Sequence, residues 1–128
     1  MSYVSGIDVS HYQGPIDWQA VAADGQVFAF AKATDGTSVV DSHFAANWAG
    51  TKAAGMLRGA YHFLRPAKDP KTQAQKFLEV TQVGLGDLPP VLDVEALGRV
   101  SPAAALDAVA EWLTVVERET KKIGRAHV

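Results

Sequence analysis

Leu57-Arg58-Gly59-Ala60-Tyr61-His62-Phe63-Leu64-Arg65-Pro66-Ala67-Lys68-Asp69-Pro70-Lys71-Thr72-Gln73-Ala74-Gln75-Lys76-Phe77-Leu78 is the stretch that decides the fold. Its first eight residues form a short apolar run of the length of a buried strand. Asp69-Pro70 then starts a helix: a capping side chain precedes a proline whose missing N–H costs nothing at the first helical position. Ala74, Phe77, Leu78 and Thr81 mark one face of that helix. A strand handed to a helix across a short connection is a β/α unit.

The same unit recurs on both sides. Strand-like runs occupy residues 4–9, 27–33 and 90–94. Asp17 is placed to cap a short helix through Trp18, Val21 and Ala22, with Gly25 as its stop. Asp41 stands in the same relation to Phe44, Ala45, Trp48 and Ala49, and Gly55 follows. Ser101-Pro102 repeats the proline start before Leu106, Val109, Ala110, Leu113 and Val116, a helix expected to run to about residue 122. The alternation predicts an α/β fold of about four β/α units, with parallel strands joined by right-handed crossovers. An open doubly wound sheet and the first half of an eight-stranded barrel both fit this order. The first strand-to-helix turn, Ser10-His11-Tyr12-Gln13-Gly14, lacks the glycine fingerprint of dinucleotide binding, and no phosphate-binding G-x-x-x-x-G-K-[ST] occurs.

Composition excludes several classes. The 128 residues, 48% hydrophobic and 20% charged, suit one globular domain. Twelve basic against fourteen acidic side chains give a net charge of −2, which offers no long-range attraction to nucleic acid or to an anionic membrane. Cysteine is absent, so disulfides and thiolate metal sites are out. No secretory signal pattern and no apolar stretch long enough to span a bilayer is seen.

Three acids stand where parallel α/β folds place their chemistry, at or just past the C-terminal ends of strands: Asp8, Asp93 and Glu95. In Val91-Leu92-Asp93-Val94-Glu95 the two acids flank one residue, so on an extended strand they share a face with Cα atoms roughly 6.6 Å apart. Glycoside hydrolysis needs such a pair, one acid to protonate the departing oxygen and one carboxylate to support an oxocarbenium-like transition state; the spacing suits a retaining outcome. Like charges held together cannot all ionise freely, so one member stays a proton donor, and Glu95 is assigned that role. A lone acid at a strand end is otherwise a cap, and an acidic cluster joined by His11 and His62 would suit a divalent cation. No His-x-His or H-E-x-x-H spacing supports a metal, and none is expected; His62 reads as a packed strand histidine. No cofactor is implied.

Gly6-Ile7-Asp8-Val9-Ser10-His11-Tyr12-Gln13-Gly14, Ile16-Asp17-Trp18 and Phe30-Ala31-Lys32-Ala33-Thr34-Asp35-Gly36 resemble the opening motifs of the family 25 glycoside hydrolases. Gly59-Ala60-Tyr61-His62-Phe63 and Leu88-Pro89-Pro90-Val91-Leu92-Asp93-Val94-Glu95 are similar to the next two blocks, in the same order. The resemblance implies a β/α barrel that hydrolyses the β-1,4 bond between N-acetylmuramic acid and N-acetylglucosamine in peptidoglycan. It implies Glu95 as general acid/base, Asp93 as the group that orients the substrate's own acetamido group for attack, Asp8 as a third acid, and Tyr61 as a sugar contact. Tyr12, Lys32 and Asp35 join the expected substrate-binding set; Asp35 stands where the family has glutamate in its Lys-Ala-Thr-Glu-Gly block.

On this reading residues 1–122 are the N-terminal half of a catalytic barrel that is a monomer when full length and acts on the cell wall, outside the cell or released at host lysis. The last six residues, which resemble a peptide read from a sequencing adapter, are expected to be a non-native tail that begins no fifth strand. Two other classes stay open: a non-catalytic wall-binding or inactive fragment, and a metal-dependent carbohydrate deacetylase.

Overall fold

The computed structural model describes residues 3–121 and 125–127. Strand β1 (Gly6–Val9) leads through a single 3-10 turn (His11–Gln13) to helix α1 (Trp18–Ala23). Strand β2 (Phe28–Asp35) is followed by the two-residue strand β3 (Val39–Val40) and helix α2 (Phe44–Ala53). Then come strand β4 (Leu57–Phe63), helix α3 (Pro70–Thr81), strand β5 (Val91–Asp93), helix α4 (Pro102–Thr120) and strand β6 (Arg125–His127). The main sheet runs β1-β2-β4-β5-β6 with every neighbouring pair parallel, and β3 folds back antiparallel on β2. This is an α/β architecture built on a parallel, unclosed sheet.

The expectation for the C-terminal residues needs correction. Residues 125–127 do begin a fifth parallel strand, in register Val91↔Arg125 to Asp93↔His127, so β5 is not an edge. Residues 123, 124 and 128 lie outside the described residues. The β2–β3 hairpin was not foreseen, because two exposed valines after a turn are too short a run to show alternation.

Caps set most of the helix starts. Asp17 accepts from Ala20 N at 3.1 Å, Ser101 Oγ accepts from Ala104 N at 3.1 Å, and Asp69 accepts from the backbone of Lys71 and Thr72. Asp41 is not the cap of α2. That place belongs to His43, with no side-chain hydrogen bond, while the Asp41 carboxylate is engaged elsewhere.

Parallel partners share a face, so register divides the sheet into two sides. Asp8, Phe30 and Gly59 lie on one side with Lys32, Tyr61, Phe63 and Asp93. A Cβ at Gly59 would overlap the Phe30 ring, and one at Gly6 the Phe28 ring, so glycine beside phenylalanine lets this concave layer close up. The other side, with Ala29, Ala31, Ala60, His62 and Leu92 all buried, carries the helices.

Under those helices Phe77 of α3 and Trp112 of α4 pack against each other and against His62. The buried face of α4 is Ala105, Ala108, Trp112, Val115 and Val116, with Val109 and Leu113 partly buried beside it; the expected stripe holds at Val109, Leu113 and Val116, while Leu106, 69% exposed, and Ala110 fall outside it. Magnitudes explain the rotation. Burying a tryptophan removes about 150–250 Å² from water, on the order of 4–6 kcal/mol, against about 2–3 for a leucine, so the helix turns to bury Trp112. Among the described residues no helix is long and apolar enough to cross a membrane.

Candidate active site

A cleft of about 410 Å³ opens at the C-terminal ends of β1, β2, β4 and β5. All seven residues singled out from sequence line it: Asp8 from β1, Lys32 and Asp35 from β2, Tyr61 from β4, Asp93 from β5, Tyr12 from the 3-10 turn and Glu95 just beyond β5. Sequence reasoning passed over five further lining residues, among them Phe63 and Arg65. Arg65 stands two positions past the end of β4, where this architecture collects its functional groups, and that position was the available signal.

Strand β5 is shorter than expected, ending at Asp93, so Glu95 lies two residues outside it. The alternation persists nonetheless. Leu92 and Val94 are buried while Asp93 is half-buried and Glu95 exposed, which keeps both acids on the cleft side. Asp8 is exposed as well.

The placement of Asp35 depends on an irregularity in β2. Lys32 pairs with Tyr61, but Thr34, not Ala33, pairs with His62, so one residue of β2 has no counterpart on β4. Strict alternation from Lys32 would put Thr34 in the cleft and Asp35 under the helices. The bulge reverses this. Thr34 joins His62 on the helix side, wholly buried, and Asp35 joins Phe63 in the cleft.

In that position Asp35 receives two cations. Arg65 donates through Nε at 2.7 Å and through Nη2 at 3.1 Å, a fork-like pair, and Lys32 Nζ lies 3.4 Å away. Burial pushes the Asp35 carboxyl up, but Arg65 and Lys32 together outweigh it and hold the group below its ordinary range. Both cations also lie over the Phe63 ring, at 5.0 Å for Lys32 and 4.5 Å for Arg65.

Tyr61 is half-buried. Burial first, then the negative charges of Asp8, Asp93 and Asp41, raise its hydroxyl far above the ordinary phenol value, so it stays a neutral donor at any physiological pH. Tyr12 projects from the rim, 82% exposed, with its ring 4.2 Å from that of His11. His11 is fixed from below: its backbone N–H and Nδ1 both meet Asp41 Oδ2, at 3.0 and 2.7 Å. Burial pushes the Asp41 carboxyl up, yet these bonds and one from His43 N leave it below its ordinary range. The acid read as a helix cap therefore supports the aromatic rim. The turn itself is a capping box, Ser10 Oγ accepting from Tyr12 N while Gln13 Oε1 accepts from Ser10 N at 2.7 Å.

Neither His62 nor His11 lines the cleft. His62 is fully buried on the opposite side of the sheet, between Thr34 and Gln73. Among the described residues no group of three or more His, Cys, Asp or Glu is arranged to hold a metal ion.

The cleft thus sets carboxylates at the strand ends of a parallel β/α sheet, beside aromatic rings and the neutral Tyr61 hydroxyl. Residues 7–125 match the glycosyl hydrolases family 25, and the chain belongs to that family. It is 44% identical over 124 residues to an uncharacterised protein of Escherichia coli K12, YegX, covering 93% of this chain and 46% of that one. It is also 44% identical over 98 residues to lysozyme M1 of Streptomyces globisporus, covering 73% and 33%. The structure of a family 25 glycosyl hydrolase from Bacillus anthracis superposes with a TM-score of 0.93 at 31% identity, covering 97% of this chain and 59% of that one. The chain thus spans about half the length or less of these curated relatives.

Proposed function

We propose that the chain contributes the acidic half of a muramidase site that cleaves the β-1,4 bond between N-acetylmuramic acid and N-acetylglucosamine in bacterial peptidoglycan. The observation that carries this reading is the convergence of Asp8, Asp93 and Glu95 with Tyr61 on one cleft. Glu95, exposed and past the strand end, donates a proton to the departing glycosidic oxygen and later accepts one from water. Asp93 orients the acetamido group of the sugar so that its carbonyl oxygen attacks the anomeric carbon, while Asp8 balances the charge that develops. Tyr61 supplies a hydrogen bond from its neutral hydroxyl, and the Tyr12 ring offers a stacking face at the rim. Lys32 and Asp35 belong to the wall that the glycan strand passes.

The test is clearing of a cell-wall suspension by the chain and by Glu95→Gln, with both shown folded by circular dichroism. Clearing by the wild type that falls about 10²- to 10⁴-fold in the variant supports the assignment, that being the usual contribution of a general acid. Equal clearing by both overturns the role of Glu95. Sedimentation with walls but no clearing by either overturns catalysis by this chain and favours wall binding.

A further inference from the structure

We propose that Thr34, His62 and Gln73 form a buried positioning relay that holds Arg65 against Asp35 in the wall of the cleft. Gln73, in the first turn of α3, is fully buried and uses its whole amide. Its Nε2 donates to the carbonyls of Arg65 at 2.9 Å and Lys68 at 3.1 Å. Its Oε1 accepts from Arg65 N at 3.0 Å and from His62 Nε2 at 2.8 Å. Four partners leave only one orientation of the amide.

That orientation fixes the imidazole in turn. Facing an oxygen that only accepts, His62 Nε2 must carry the proton, so Nδ1 is the acceptor and Thr34 Oγ1 donates to it at 2.6 Å. The two ends of the relay adjoin the two ends of the ion pair. Thr34 immediately precedes Asp35 in the chain, and the Gln73 amide grips the backbone of Arg65 on both sides of its Cα. One imidazole therefore sets the spacing between the end of β2 and the segment that follows β4. The guanidinium, half-exposed over Phe63 and bonded to Asp35 on the cleft side, stands on a backbone that is held from the other side of the sheet. None of the three relay residues lines the cleft, so they are positioning residues and not catalytic ones.

The test reads the Arg65 Nε–H directly by ¹⁵N-correlated NMR, its signal assigned by its loss in Arg65→Lys. Thr34→Val removes the donor while keeping the shape, Thr34→Ser restores it, and Gln73→Met removes the clamp. The relay predicts Nε–H exchange with water about tenfold faster in Thr34→Val and Gln73→Met, as loss of roughly one hydrogen bond requires, and near the wild-type rate in Thr34→Ser. A folded Thr34→Val with lowered thermal stability and unaltered Arg65 exchange would overturn the proposal, since that is what a purely structural threonine does. Should Gln73→Met fail to fold, the valine and serine pair decides alone. The readout needs no turnover, so it stands apart from the muramidase reading. Where that reading holds, Thr34→Val also raises KM for cell walls more than it lowers kcat.

Discussion

Tyr61 shows how charge placement sets the chemistry available to a single residue. Burial first, and then the nearby acids, keep this phenol neutral, so its proton stays available for donation. Tyr61→Phe is expected to slow wall clearing about tenfold, the worth of one hydrogen bond felt in the transition state. The wild-type rate profile should show no alkaline limb that this substitution abolishes; such a limb would mean the phenolate takes part. Asp93 and Glu95 were legible in sequence because two acids on one face of an apolar strand would be desolvated without a partner unless a site stands there; a lone acid such as Asp8 reads equally well as a cap. Arg65 and Gln73 were not. Arg65 had only its place just past a strand end to mark it, and a glutamine in a helix reads as surface, so the fold is needed to show that one lines the cleft and the other is buried with its whole amide hydrogen-bonded.

At the scale of elements, tight packing decides where local propensity points the other way. Gly50 lies inside α2, where alanine would ordinarily gain about 1 kcal/mol. A Cβ there would overlap the Trp18 indole of α1, and overpacking of this kind costs about 1–3 kcal/mol. Gly50→Ala is therefore expected to lower Tm, by several degrees, and a rise in Tm by thermal scan would show that α1 yields instead. Strand–helix order and the three capped starts at Asp17, Asp69 and Ser101 followed from sequence, since each is fixed by neighbours within a few residues. The face of α4 followed only in part: Val109, Leu113 and Val116 lie toward the core as the spacing predicts, but the seat awaiting Trp112 turns Leu106 and Ala110 away. The bulge was equally hidden: a skipped residue is a property of two strands in register, not of either one alone.

For the molecule as a whole, the buried imidazole ties stability to acidity. Burial lowers His62 to about 4 from 6.5, against smaller opposing effects of Gln73 and Asp35. The unfolded chain takes up this proton first as the pH falls. The stability it contributes is thus complete above pH 6.5, lost progressively between 6.5 and about 4, and level below that. The amount is on the order of 3 kcal/mol. Asp35 and Asp41, both held below 3.8, weaken the fold only in stronger acid. Urea midpoints are expected to fall between pH 7 and pH 4.5 in the wild type and to fall less in His62→Gln, which has no ring to protonate. An equal fall in both would assign the acid sensitivity elsewhere.

The extra residue in β2 also constrains how this strand can change length. Removing Ala33, the residue without a counterpart on β4, would leave Lys32 opposite Tyr61 and Thr34 opposite His62 in plain alternation, with Thr34 still under the helices and Asp35 still in the cleft. The strand can thus lose one residue at the bulge without disturbing the cleft, whereas straightening it with Ala33 retained would turn Thr34 outward and drive the Asp35 carboxylate under the helices, where no water reaches it.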